Sequence, residues 1–454
     1  MSLDILKPLR EGFLQREEPA TELPTRENHV RNNLILHLHP SRVPARALRF
    51  SYTWGLGGIS VVLVVLLGLT GLLLMFRYDP RVEYAYVSIQ QLETEVMFGS
   101  FIRAVHHWSA NFLVITTFLH LVRVFLTGSY KQGRGVNWII GLVLFVIVLA
   151  GNFTGYLLPW DQLSYWAITV STSLMAYIPL LGTAVRNFFL GGPQVGQAAL
   201  SNFYALHVVF MPALMLGFLA YHLWKVRKNG GISQPLLKED EKPEFKSTNP
   251  HLVNIELAAG LVVLVFVGLW AMFNPAPLGS IASPLVSPNP AKAAWYFLGL
   301  QELLLHMHPL SAMFLIGLVG VALVGTPLVD RSDRDIGIYF RTAIGRRAAV
   351  FGALLALYLV PIAVILDEFW YDLPGWLPNV HTNVTVGVIP FVITLLVFVG
   401  VYFLLRSGWL FKNEKTNHSE AMVGIFAFIM NGLILLTIVG IHFRGQNMAL
   451  VLPF

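Results

Sequence analysis

The chain has 454 residues, 55% of them hydrophobic and 12% charged, with no cysteine and a formal net charge of +6. Mean hydropathy is +0.63, and soluble domains carry about a quarter charged residues, so the composition is that of a polytopic membrane protein. Lack of cysteine excludes disulfides, Cys-ligated zinc or iron–sulfur centres and thioether-attached haem on this chain. The pI near 9.4 would suit nucleic acid, but the basic residues sit in loops beside apolar runs, so no nucleic-acid partner is expected.

The first 28 residues, MSLDILKPLREGFLQREEPATELPTREN, are polar and mixed in charge. They show no signal-peptide pattern and suit an amphipathic surface helix. Uncharged stretches long enough to cross about 30 Å of hydrocarbon then follow near 54–76, 104–122, 138–158, 203–224, 257–273, 310–328, 348–366, 385–405 and 421–442. Eight or nine such spans can be drawn, the one at 310–328 being the shortest.

Nine spans place residues 1–50, 127–137, 225–250, 329–347 and 406–420 on one side, with 24 of the 31 Lys and Arg; the other side holds about six. The positive-inside rule puts the first set in the cytoplasm (the n side) and the C-terminus VLPF on the opposite, p side. An eight-span count breaks the asymmetry, so nine are expected, with the N-terminus cytoplasmic. The long p-side segments 159–202 and 274–309 are rich in Pro, Gly and aromatics. They are expected to hold short surface helices and function.

The second span carries RAVHHWSANFLVITTFLHLVRVF. On a helix, residues 14 apart lie roughly 40° short of four turns and about 21 Å along the axis, so His106 and His120 share a face, one near each membrane surface. His107 points elsewhere. The fourth span repeats the pattern with His207 and His222, 15 apart. Two helices with histidines at matching depths can clamp two flat macrocycles, pairing His106 with His207 and His120 with His222. Neutral imidazoles satisfy haem iron without net charge on the ligand, and Arg103 and Arg123 flank the helix where haem propionates would lie.

Spans one and three carry Gly57 with Gly71 and Gly141 with Gly155, both 14 apart. Such glycines open each helix surface at the same two depths. Small residues also serve helix packing, but two pairs matching the histidine spacing describe a four-helix bundle with two haem slots. The expected fold is all-α, this bundle followed by a C-terminal helical domain.

These histidine and glycine pairs, with GYLLPWDQLSYW (155–166) and WYFLGLQELL (295–304), resemble the cytochrome b of quinol-oxidising bc complexes. The resemblance covers roughly residues 35–405 and is more specific in the first half. The 15-residue spacing, LPWDQ and VGQAALSNFYALH lean toward the chloroplast-type branch, in which the two domains are separate polypeptides. The division it implies is a cytoplasmic segment 1–50, a haem domain 51–235, a C-terminal quinone-site domain 236–410 and an additional transmembrane segment 411–454.

Three departures stand out. Gly55 occupies the place of the cysteine that attaches an extra haem in the chloroplast branch, so no covalent haem is expected here. The PEWY motif, whose glutamate takes a proton from quinol, reads AAWY (Ala293, Ala294, Trp295, Tyr296). Glu302, eight residues after Ala294, lies about 80° round and 12 Å along a helix and is the candidate substitute acceptor; a capping or structural carboxylate is the plainer reading. The ninth span, ending in HFRG, suggests packing or partner binding, with Asn431 and His442 as packing groups.

The resemblance implies a p-side quinol site near Tyr156, Pro159, Trp160, Trp295, Tyr296 and Glu302. It implies two bis-histidine b haems, and an n-side quinone site with Arg227, five residues after His222, and Glu256 at the start of span five. It further implies a Rieske iron–sulfur protein and a cytochrome c-type subunit as partners, a homodimeric complex in the lipid of a cell's inner (cytoplasmic) membrane, and proton translocation. The rival readings are a diheme anchor of a dehydrogenase with one quinone site, a non-redox transporter or structural subunit, and a specialised bc-type complex with other electron acceptors.

Overall fold

The computed structural model describes residues 39–235, 244–332, 335–411 and 414–451. The surface helix expected within residues 1–28 lies outside them. Among the described residues nine helices are long and apolar enough to cross a membrane, as the hydropathy pattern requires. They are α1 (Leu56–Met75), α3 (Gly99–Leu126), α4 (Gly135–Tyr156), α7 (Gln197–Lys228), α8 (Thr248–Phe273), α10 (Pro309–Val329), α11 (Ala343–Phe369), α12 (Val384–Arg406) and α13 (His418–His442). Shorter helices lie between them: α2 (Val82–Thr94), α5 (Gln162–Met175), α6 (Gly182–Leu190) and α9 (Leu298–His306). The two long segments therefore contain the short helices expected of them.

Local signals set several of these helix starts. Asp161 caps α5 by accepting from the Ser164 amide at 2.9 Å, and Thr342 caps α11 by accepting from the Gly345 amide at 3.1 Å. Asn417 and Glu420 form a reciprocal capping box at the start of α13, which satisfies two amides that the first helical turn leaves open.

Helices α1, α3, α4 and α7 form the first bundle. A buried apolar layer including Leu63, Ala104, Val105, Leu113, Val114 and Val148 fills the space beside α8. Val65, Leu69, Leu72 and Leu73 on α1 remain exposed, as residues facing hydrocarbon do. At the end of the bundle that carries residues 127–134 and 330–342, called the lower end here, a two-stranded antiparallel pairing joins Arg42–Pro44 to Phe245–Ser247.

Helix α13 is built into the fold rather than appended to it. Gly352 of α11 lies against the Gly424 region of α13, a small-residue crossing that lets two backbones approach. Phe426 stacks on Phe125 of α3 with ring centres 3.8 Å apart. Below that stack Asp330 accepts from Lys131 at 2.8 Å, from Tyr130 at 2.6 Å and from Ser419 at 2.8 Å. Arg341, fully buried, donates to the carbonyls of Phe125 and Leu126. The last span is thereby locked to the first bundle.

Candidate functional site

The histidines of α3 and α7 meet inside the first bundle. His106 and His207 have ring centres 6.2 Å apart, with planes at 75°. The Thr70 hydroxyl donates to the Leu66 carbonyl, so it accepts from His106 Nδ1 at 2.9 Å. His207 Nδ1 donates to the Gly151 carbonyl at 3.0 Å. With both Nδ1 atoms occupied, Nε2 is the nitrogen each ring can offer a metal, and such outer bonds are what orient metal-bound imidazoles.

An imidazole–metal bond is about 2 Å, so two imidazoles on one ion have centres roughly 6 Å apart; the upper pair stands at that separation. Among the described residues no group of three or more His, Cys, Asp or Glu could hold a metal ion. A metal on this pair would take its other ligands from outside these side chains, as a macrocycle would supply them. The residues present fit a haem.

Each glycine of the two matched pairs faces one of these histidines. A Cβ at Gly71 would lie 3.2 Å from His106, at Gly155 2.5 Å from His207, at Gly57 3.4 Å from His120, and at Gly141 3.6 Å from His222. His107 instead meets Asn111, 3.2 Å from its Nε2, and stacks edge-on against Trp108.

The 15-residue spacing on α7 has a local cause. His207 lies in a single π turn, Leu206–Phe210, closed by the Met211 amide donating to the Leu206 carbonyl. A π turn absorbs one extra residue. His207 and His222 therefore present themselves to α4 as a 14-residue pair would, matching Gly155 and Gly141. Nothing in the spacing alone announces the bulge.

The flanking arginines differ. Arg103 is bonded to the Glu93 carboxylate and to the carbonyls of Ala276 (3.0 Å) and Pro277 (2.6 Å), which engages three of its five N–H donors. Arg123 lies over the Tyr52 ring, 4.9 Å from its centre, and its buried Nη2 has no protein partner. That orphaned donor suits an anionic group at the lower slot.

A cavity of about 400 Å³ opens between α4, α5 and residues 288–304, within the usual range for small-molecule sites. Leu149, Ala150 and Phe153 of α4, Trp166 and Ser171 of α5, and Lys292, Ala293, Phe297 and Gln301 line it. A smaller recess beside it is lined by Tyr156, Ala294 and Tyr296. Helix α4 thus turns Gly151, Thr154 and Gly155 toward His207 and Ala150 and Phe153 toward the cavity, leaving one helix between them. Burial pushes the Tyr296 hydroxyl above its ordinary pKa. The Trp295 indole donates to Asn111 at 2.6 Å.

Glu302 requires a correction. It does not line the cavity, and α9 turns Leu300, Gln301 and Leu304 there instead. Its carboxylate is fully buried, accepts from Arg444 at 2.6, 3.0 and 3.1 Å, and lies 3.2 Å from His306 Nε2. Burial alone would raise its pKa, but the bonds from His306 and Arg444 hold it below the usual carboxylate range. A weakly basic carboxylate behind the wall is poorly placed to take a proton from a cavity ligand. Sequence reading missed Arg444; the HFRG ending showed an arginine but not which helix it would meet.

His306 also bonds Asp367 at 2.6 Å. Burial opposes its charging, yet the bonds to Asp367 and Glu302 push its pKa up to about 9, against about 6.5 in an unfolded chain. A raised pKa gives stability that is complete below the unfolded value and lost as pH rises through the folded one. The thermal midpoint of the purified protein should therefore fall as pH is raised from about 6.5 through about 9, and His306→Gln should flatten that step. A midpoint independent of pH across this window would refute the assignment.

At the lower end, Glu256 lies 3.1 Å from His39 Nε2 and near Gly58, one residue from the glycine facing His120. Arg227 is half-buried near the end of α7.

A bundle of membrane-length helices with four histidines, each set against a glycine, defines a polytopic membrane protein with room beside its imidazoles for flat groups. The family model described as "Cytochrome b/b6/petB" matches residues 44–230. The chain is 41% identical over 198 residues to a cytochrome b6 of Heliobacterium modesticaldum, covering 44% of this chain and 91% of that protein. It is 44% identical over 181 residues to one from Synechococcus sp. (strain CC9902), covering 40% and 83%. It is 38% identical over 187 residues to a menaquinol:cytochrome c reductase cytochrome b subunit of Geobacillus thermodenitrificans, covering 41% and 83%. The chain belongs to the cytochrome b/b6 family. A chain of a hyperthermophilic respiratory Complex III matches its fold with a TM-score of 0.64 at 20% identity, over 92% of this chain and 97% of that one.

Proposed function

We propose that the chain is a diheme cytochrome b of a bc-type quinol oxidoreductase complex. It oxidises quinol at the upper, p-side cavity and passes electrons through two b haems to a quinone site on the n side, with proton translocation. The observation that carries this is the set of four histidines at two matching depths, each faced by a glycine. His106 with His207, and His120 with His222, would hold the two haems, which supply one-electron redox chemistry when bound.

The protein's own part is positioning. Thr70 and the Gly151 carbonyl fix two imidazoles, and Gly57, Gly71, Gly141 and Gly155 leave room beside all four. Arg123 offers a buried donor to a propionate, whereas Arg103 holds the upper loops together. The cavity wall holds a quinol ring among Phe153, Trp166 and Phe297, with the Tyr156 and Tyr296 hydroxyls in the adjoining recess and Trp295 tied to Asn111 behind them. Arg227 and Glu256 would serve the quinone at the lower end, where His39 beside Glu256 adds a group able to exchange protons with the cytoplasm. A Rieske-type protein and a cytochrome c-type subunit would complete a dimeric complex in the inner membrane.

Residues 51–235 would form the haem domain and 236–410 the quinone-site domain; α13, within 411–454, closes the back of the latter. A dehydrogenase anchor would also need one quinone cavity, but it would have no need of the C-terminal helical domain whose residues 288–304 wall this one. The test is a reduced-minus-oxidised spectrum of the native complex together with quinol-dependent reduction. Two six-coordinate b-type centres reducible by quinol are expected, and fewer than two would end this reading.

A further inference from the structure

The far end of α13 and the residues after it reach the segment that forms the quinol cavity's outer wall. Three separate ties join them. Lys292 Nζ donates to the Ile441 carbonyl at 2.9 Å, where a helix C-terminus favours a cation. Asn289 and Asn447 exchange two hydrogen bonds, of 2.7 and 2.5 Å. Arg444, buried to 1% exposure, pairs with Glu302 at 2.6 Å and with Glu368 at 2.7 Å, and also donates to the Met448 carbonyl.

Neighbouring residues of α9 transmit this hold to the cavity. Glu302 faces α13, while Gln301 beside it grips the wall: its Oε1 accepts from the Ala293 amide at 2.7 Å and its Nε2 donates to the Ala291 carbonyl at 2.7 Å. The α9–α13 contact is close, since a Cβ at Gly440 would meet Leu298 at 3.1 Å. Rotation of α9 against α13 would therefore move Gln301 and the wall with it.

We propose that Arg444, Asn447 and the end of α13 are positioning elements for the quinol cavity, fixing the 289–294 wall through Asn289, Lys292 and the Arg444–Glu302–Gln301 chain. This rests on the quinol-oxidising reading above. It assigns the ninth span a role in substrate binding, with Arg444 acting through α9 and touching no substrate.

The test uses the complete purified complex and a short-chain quinol. Asn289→Ala removes only a surface pair of bonds and leaves folding intact. The paired variant Glu302→Gln/Arg444→Gln removes both charges of the fully buried pair, while Glu368 keeps the Leu450 amide and His306 keeps Asp367. Each is expected to raise KM for quinol by about tenfold, or about 1.4 kcal/mol, less than the roughly 10²-fold that a full 1 Å misplacement can cost, with kcat and both haem bands close to wild type. Unchanged KM in Asn289→Ala, or loss of haem and yield with unchanged KM in the surviving complex, overturns the proposal. A wild-type complex that oxidises no quinol overturns the function it rests on, and the proposal with it.

Discussion

Alanine at His106 or His207 is expected to remove one of two b-type centres and with it quinol-driven electron transfer, while the lower centre keeps its band. These two imidazoles stand 6.2 Å apart with their Nδ1 atoms engaged by Thr70 and Gly151, so neither has a substitute within the bundle. Thr70→Val, which removes only the outer partner of His106, should weaken the centre by roughly the 10–100-fold typical of such partners. His107→Ala is the control. That ring is adjacent in sequence but is turned to Asn111 and Trp108, so both centres should persist. A reduced-minus-oxidised spectrum of each variant decides; a normal pair of bands in His207→Ala would be fatal to the haem assignment.

The second large effect is expected from a single methyl group. In Gly155→Ala the new carbon would sit 2.5 Å from His207 Cε1 and 2.9 Å from its Nδ1, closer than non-bonded atoms approach. Either the ring leaves its place, breaking the bond to the Gly151 carbonyl, or α4 moves away from α7. Overpacking of this kind costs about 1–3 kcal/mol, and here the displaced group is a proposed ligand. The upper centre should be lost or become five-coordinate. Gly141→Ala, whose methyl would stand 3.6 Å from His222, should disturb the protein backbone far less. Binding of an external ligand such as carbon monoxide to the reduced Gly155→Ala protein, but not to wild type, would report the opened coordination position. Wild-type spectra in both variants would mean the glycines serve helix packing alone.

The histidine and glycine pattern was legible early because it is periodic and local. A 14-residue repeat on a helix fixes face and depth together, whichever neighbours that helix finds. The hydropathy runs were legible for the same reason: each span must satisfy its backbone internally and bury its length in lipid, so its signal lies in its own residues. The sequence had less to say about α9 and α13. Glu302 could be placed on a helix near the AAWY turn, but its direction depends on which face of α9 meets α13. That is set where Leu298 and Gly299 meet Gly440, Thr437 and Leu433, about 140 residues further along the chain, a contact made only after folding.

The amino-acid order by itself determined nine spans, their charge asymmetry, two depths for paired imidazoles and the absence of any thiol chemistry. These follow from hydropathy, helical period and composition, which need no tertiary partner. Only the folded chain decided that Glu302 answers to Arg444 instead of the cavity, that a π turn reconciles a 15-residue spacing with a 14-residue one, and that the last helix braces a wall formed 150 residues earlier. Those outcomes depend on long-range contacts between helix faces and on a local π turn that residue spacing does not encode.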